Sequence, residues 1–252
     1  MTAKQVEREP WARWYIKGLG TKRNSWIVGP KPEKIFLREV TKSVSRNKTL
    51  LDIGCGAGTT VKLIAPRVRE AWGIDPSRRL IEIAKEVAPD NAHFRVADGR
   101  NLPFEDGRFD VVICQRGPAT ANERFAREMW RVLKKNGIFV AITIGEKDKE
   151  NIKKVFGRGQ LYRALLTKRT EAERHIALLR KLRFTRVDVR EYNPVEYFAT
   201  LDDLVFRLDR TPIIPNFRKT KDKAFLREIE RKFFDGNGIR TNSHRLIVKA
   251  IK

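Results

Sequence analysis

Three glycines at alternate positions, Gly54, Gly56 and Gly58, lie in the run Leu51-Asp-Ile-Gly-Cys-Gly-Ala-Gly58, between an apolar stretch and a helical pattern. Glycines at the carboxyl end of a strand make a tight turn and let backbone come close to a ligand. The G-x-G-x-G spacing differs from the G-x-G-x-x-G of dinucleotide sites, and no Lys-Ser/Thr pair follows as in a phosphate-binding P-loop. Two acids recur at matching places. Asp75 ends the second apolar stretch, where a carboxylate can bind both hydroxyls of a ribose. Asp98-Gly99 follows the third, where a carboxylate can accept from an adenine amine. The segment Leu102–Asp110 then leads into a fourth apolar stretch that leaves through Cys114-Gln115-Arg116-Gly117-Pro118.

The elements that must position these residues alternate between strand and helix. Strands are expected at Thr49–Ile53, Ala71–Asp75, His93–Ala97, Phe109–Cys114 and Ile138–Ile144, with helices at Thr60–Ala65, Arg78–Val87 and Glu123–Leu133 between them. Asn136-Gly137 is expected to stop the last of these helices. Short apolar strands alternating with helices build a mostly parallel sheet covered on both faces, an α/β fold of Rossmann-like type. Before it, Pro32–Val44 reads as an amphipathic helix. After it come a helix at Glu171–Leu182, a strand at Phe184–Val189 and a final strand at His244–Ile251. Residues 192–242 form an insertion that holds Leu201–Leu208, the loop Thr211–Pro215 and a basic helix from Asp222 to Phe233. In that helix Phe225, Ile229 and Phe233 should make a buried stripe. The chain thus divides into an N-terminal extension and helix (1–48), a ligand-binding core (49–191), an inserted subdomain (192–242) and a last core strand (243–252).

Over residues 49–145 the motifs resemble those of the class I S-adenosylmethionine (SAM)-dependent methyltransferases, and Arg245–Ile251 resembles that family's antiparallel last strand. The resemblance implies SAM as cofactor, S-adenosylhomocysteine as product and no metal. Asp52 and the Gly54–Gly58 loop, with Ile53 and Cys55, would hold the methionine part. Asp75 and Pro76 would meet the ribose, and Ala97, Asp98 and Gly99 the adenine. Gln115 would border the sulfonium and the acceptor. Methyl transfer is a direct displacement from a good leaving group, so alignment and a dry site are the protein's main contribution. No catalytic triad is expected.

The acceptor must be read from elsewhere. Exocyclic-amine methyltransferases of nucleic acids carry Asn/Asp/Ser-Pro-Pro-aromatic after the fourth strand, where this chain has Cys114-Gln-Arg-Gly-Pro118. Amine transfer would therefore rest on Gln115 or backbone carbonyls as acceptors, with Arg116 beside them on a phosphate or substrate edge or in a structural ion pair. Cys114 could in principle attack a pyrimidine ring as a thiolate, but it lacks the flanking proline and is expected to be an apolar strand residue.

Charge points outward from this core. The 252 residues carry 54 Lys/Arg against 31 Asp/Glu, a net +23. The excess is concentrated before residue 49 and after residue 146. A polyanion such as RNA is the partner this implies. A charge-rich thermophile surface is the competing reading, though it should raise both signs together. Trp11, Trp14 and Tyr15, set among Lys and Arg, could stack on unpaired bases or form a lid.

The expected function is methyl transfer to a base of structured RNA, ribosomal before transfer RNA, at an exocyclic amine of cytidine or guanosine. The C-terminal half loosely resembles the guanine-N1 ribosomal RNA methyltransferases. A quinone or metabolite acceptor is the alternative, favoured if Val195–Leu208 and Ile213-Ile214 line an apolar pocket. A non-enzymatic RNA-binding protein would not need Asp52, Asp75 and Asp98 together. Two cysteines and three histidines without ligand spacing argue against disulfides and structural zinc. With no apolar run long enough to span a bilayer and no leader-like start, a cytoplasmic monomer is expected.

Overall fold

The computed structural model describes residues 24–115, 122–167 and 170–252. Its main sheet has seven strands. These are β2 (Thr49–Ile53), β3 (Glu70–Asp75), β4 (Ala92–Val96), β5 (Phe109–Gln115), β6 (Leu133–Ile144), β7 (Thr185–Tyr192) and β10 (Arg245–Ile251). They lie in the order β4-β3-β2-β5-β6-β10-β7. The first five are mutually parallel, and β10 runs antiparallel to both β6 and β7.

Alternation along each strand divides the core in two, because successive side chains point to opposite faces. Leu51, Ile53, Val112, Phe139 and Val248 enter one apolar cluster, beneath helices α4 (Glu123–Val132) and α7 (Glu171–Lys181). Leu50, Val111, Ile113, Val140 and Ile247 enter the other, beneath α1 (Pro32–Ser43), α2 (Thr59–Ile64) and α3 (Arg78–Lys85). A strand covered on both faces reads as a continuous apolar run. All five residues of β2 are buried accordingly. Helix starts follow local chemistry: Ser77 and Asn122 cap α3 and α4, and Thr170 with Glu173 forms a capping box on α7.

Asn136-Gly137 does not stop a helix. Helix α4 ends at Val132 and the chain enters β6 at once. Asn136 takes a positive φ of 63°, its N–H donates to the Lys252 carbonyl, and Gly137 accepts from the Lys252 N–H. The pair therefore shapes an irregularity in β6. Phe109 pairs with Leu133 but Val111 with Ile138, so β6 carries extra residues there.

A second sheet was not legible. Strands β1 (Ser25–Val28), β8 (Val195–Phe198) and β9 (Ile239–Asn242) form an antiparallel three-stranded sheet in the order β1-β8-β9. It packs with α5 (Glu150–Phe156), α8 (Leu201–Asp209) and α9 (Lys223–Phe233), while α6 (Tyr162–Leu166) is a short turn of helix between α5 and α7. A third apolar cluster joins Ile152, Phe198, Leu204, Leu208, Ile213 and Ile229. Val205 and Ile214 belong to the same cluster, so most apolar residues expected to line a pocket pack against one another, while Val195, Tyr197 and Phe206 stay outside it. On α9 the buried residues are Leu226 and Ile229, with Phe225 and Phe233 only partly buried. The stripe is centred between the positions that simple four-residue spacing picked out.

The turn after β6 ties the two sheets together through buried charge. Lys149, 1 % exposed, donates from Nζ to Glu196 on β8 at 2.6 Å and to the Asn242 carbonyl of β9 at 3.0 Å. Asp148 accepts from Arg245 of β10 at 2.6 Å and from the His244 N–H at 3.1 Å. Burial opposes ionisation of Asp148, but the charges of Lys149 and Arg245 hold its carboxyl well below the usual carboxylate range. His244 is fully buried, with Nδ1 accepting from the Lys147 N–H and Nε2 facing Glu191. His93 lies on β4 with its ring 4.8 Å from that of Trp72, and His175 is buried on α7.

Candidate cofactor site

Strand order reverses beside β2, with β3 on one side and β5 on the other. In an open α/β sheet, ligands bind outside the carboxyl ends of the strands at such a reversal. Asp52 lies near the end of β2, Asp75 ends β3, and Gln115 ends β5. The glycine loop that follows β2 lies over this point. Gly54, Gly56 and Gly58 all take positive φ, 79°, 56° and 78°. The N–H groups of Gly54 and Cys55 both donate to the Ile74 carbonyl, which folds the loop over the tip of β3.

The glycines serve different purposes. A Cβ on Gly54 would meet nothing within 4 Å, so its face of the loop is open to a ligand. A Cβ on Gly58 would come within 2.7 Å of the Phe94 ring, so this glycine lets α2 pack close to the sheet. Gly99 is likewise a packing residue, since a Cβ there would run into the Phe125 ring and lie 2.8 Å from Ile53.

Asp52 is 2 % exposed, and its Oδ1 has no hydrogen-bond partner among the described residues. Burial, and then the nearby charge of Asp75, push its carboxyl up to about 7. Asp75 is better provided for. Its Oδ2 accepts from the Gly56 N–H at 3.0 Å and its Oδ1 from the Ser77 N–H at 2.9 Å. Burial raises its carboxyl above the ordinary value, and these two donors oppose the rise. The partnership of Asp75 with Gly56 fixes the loop to β3, a role that spacing did not reveal.

Asp98 is half-buried and grips Arg100, whose Nε and Nη2 reach both carboxylate oxygens and hold the group below its usual range. Arg100 is a partner of Asp98 that the motif did not name, although an Asp-x-Arg spacing was available to find it. Thr60, on α2, was missed as well. Its hydroxyl donates to Gln115 Oε1 at 3.1 Å, bridging the crevice between the loop helix and β5. Pro76 and Ala97 flank the site half-buried, and Ile53 and Cys55 are buried. Burial and the charges of Asp52 and Asp75 push the Cys55 thiol up, so it is no nucleophile. Trp11, Trp14, Tyr15 and Arg116 lie outside the described residues.

Cys114 is 2 % exposed and packs in the cluster with Leu51, Ile53 and Met129. A thiolate attack would need that side chain in the crevice. Cys114→Ala is expected to leave methyl transfer within about twofold of wild type while costing ~1 kcal/mol of stability. Loss of turnover in a folded variant would restore the thiolate mechanism.

Among the described residues no group of three or more His, Cys, Asp or Glu could hold a metal ion, and no helix is long and apolar enough to cross a membrane. The donors that are present suit a different ligand. An open glycine face, an orphaned buried carboxylate oxygen and an acid at the tip of the next strand form a cradle for a molecule with a cationic amine and a diol. SAM has both.

Comparison with known proteins agrees. Residues 51–141 match the family model described as a methyltransferase domain. The chain is 33 % identical over 116 residues to the uncharacterized methyltransferase YcgJ of Bacillus subtilis, 44 % of this chain and 46 % of that protein. It is 34 % identical over 123 residues to the 2-methyl-6-phytyl-1,4-hydroquinone methyltransferase of Synechocystis, 47 % of this chain and 39 % of that protein. It is 29 % identical over 126 residues to the ubiquinone/menaquinone biosynthesis C-methyltransferase UbiE of Campylobacter jejuni, 46 % of this chain and 53 % of that protein. These matches span only about half the length of the curated relatives. The YcgJ crystal structure superposes with a TM-score of 0.62 at 20 % identity, covering 87 % of this chain and 98 % of that one, which shows a shared fold. Residues 51–141 thus match a methyltransferase domain, set within a fold that the YcgJ structure shares.

Proposed function

We propose that this chain transfers a methyl group from SAM to a carbon or oxygen of a small aromatic acceptor of the quinol type. The unpartnered, buried carboxylate of Asp52 beside the open Gly54 face carries the cofactor half of this reading. The quinone-directed relatives support the acceptor half.

When bound, SAM supplies an electrophilic methyl group on a sulfonium. The chain's own residues align and enclose it. Ionised Asp52 answers the cationic amine of the methionine part, and Gly54 leaves room for that part to lie against backbone. Asp75 is held by Gly56 and Ser77, yet each of its oxygens keeps a lone pair for a ribose hydroxyl. Asp98 is held on both oxygens by Arg100, so meeting the adenine amine would require it to loosen that grip. Thr60 orients the Gln115 amide through Oε1, and the amide's Nε2 can donate toward an acceptor oxygen.

Methylation of a base of ribosomal or transfer RNA is the second reading, favoured by the net charge of +23. One assay separates the two. The purified protein is given SAM labelled on the methyl group, together with hydroquinones lacking one ring substituent and with total RNA. Label in the organic-extractable product is the expected result. Label confined to RNA would overturn the acceptor in favour of the second reading. Bound SAM with no label in either fraction would overturn both.

A further inference from the structure

Among the described residues, only one face of the smaller sheet is covered. Phe198 and Ile239 point inward to the third apolar cluster, where α8 and α9 pack. Their neighbours along each strand therefore point outward. Strand register places Trp26 of β1 beside Tyr197 of β8, and Tyr197 beside Arg240 of β9, in one row across this outer face. The Trp26 and Tyr197 rings are stacked, with centroids 5.4 Å apart and planes 14° from parallel. Tyr197 is fixed further by donating its hydroxyl to Asp235 at 2.8 Å. Trp26 is 40 % exposed and Val28, on the same face of the edge strand, is 53 % exposed. Arg240 is exposed at the far end of the row.

We propose that this outer face binds single-stranded nucleic acid, with bases continuing the Trp26–Tyr197 stack and Arg240 meeting a phosphate. Two independent features select that occupant. The net charge of +23 calls for a polyanion, and β1 is flanked in the sequence by Lys22, Arg23, Lys31 and Lys34. The stacked row calls for planar rings, and every base offers a π-face to an aromatic platform. An anionic membrane or an acidic peptide supplies the charge without the rings, and a lone aromatic metabolite supplies the ring without the charge. The inference concerns a surface outside the cofactor crevice, and it holds whichever acceptor receives the methyl group.

The test uses the full chain without SAM and a fluorescein-labelled, mixed-sequence 12-nucleotide RNA, read by anisotropy over a salt series. Trp26→Ala is expected to weaken binding about tenfold with the salt slope unchanged, because a stacking contact is lost and no counterion is recovered. Trp26→Phe keeps a ring and is expected to stay within about threefold of wild type, which separates stacking from a folding defect. Arg240→Gln should flatten the slope of log K against log salt by about 0.7, the value for one phosphate contact on a single strand. SAM binding, followed in parallel, should be unchanged in all three variants. Wild-type affinity in Trp26→Ala would overturn the proposal. So would equal binding to a duplex of matched charge, or a Trp26 dependence seen only with phosphatidylglycerol vesicles.

Discussion

Asp52→Asn is expected to weaken SAM binding by at least a hundredfold while making the cofactor-free protein more resistant to heat at pH 8. Both effects follow from one buried carboxyl. Asp52 lies at the floor of the glycine loop with an oxygen that no described residue satisfies, and burial raises it to about 7. Between pH ~4 and ~7 the folded chain therefore holds a proton that the unfolded chain has released. Stability contributed by this group falls as pH rises through that window, and above ~7 the full penalty of an ionised buried carboxylate remains. A shift of about three pH units corresponds to roughly 4 kcal/mol, an upper figure. Asparagine carries no such charge, although its amide brings its own unmet donors at ~1–3 kcal/mol. The melting temperature of Asp52→Asn relative to wild type should thus rise from pH 5 to pH 8.

Binding runs in the opposite sense. The ionised form pairs with the cationic amine, so SAM affinity should climb as pH rises through ~7 and then level off. Below that pH binding should release a proton, which calorimetry in two buffers of different ionisation heat would read directly. Removing the anion costs a charge-assisted contact in a water-poor site, about 3 kcal/mol, which is the hundredfold loss. Equal SAM affinity in Asp52→Asn, or a pH-independent wild-type affinity between pH 6 and 8, would place the methionine amine elsewhere.

The second large effect is structural. Lys149→Met should lower stability by about 3–5 kcal/mol, because breaking a buried ion pair strands the surviving charge. Glu196 would lose its Lys149 partner, and the Asn242 carbonyl would lose a donor. For a chain of this size the loss corresponds to a melting temperature lower by roughly 10 °C. Asp148 keeps Arg245 in this variant, so the damage should concentrate on the junction between the two sheets. The double change Lys149→Met with Glu196→Leu removes both charges and should recover most of the loss. Full stability of the single variant, or no recovery in the double one, would show that the pair does not hold the junction.

The strand–helix order from Thr49 to Ile144 was legible because each element satisfies a local rule. Apolar runs of five to seven residues gave the strands to within a residue or two at most ends. The Asn136-Gly137 reading failed because the turn chemistry was assigned to the preceding helix, whereas a hydrogen bond from a residue over a hundred positions away placed it inside a strand. Asp52, Asp75 and the glycines could be picked out by type and spacing. That Asp75 is tied to Gly56, that Asp98 is committed to Arg100 and that Gln115 is oriented by Thr60 could not.

By itself, then, the sequence determined the glycine loop, the acids at the tips of successive strands and the parallel sheet that presents them, because these depend on periodicity and on neighbours a few residues apart. Tertiary structure alone decided which carboxylate is left unpartnered. It also decided that strands beginning near residues 25, 195 and 239 meet in one sheet. Those outcomes depend on register between distant segments. Registry is set by which faces can be buried together, and four-residue strands such as Ser25–Val28 carry too little pattern to announce a partner some 170 positions away.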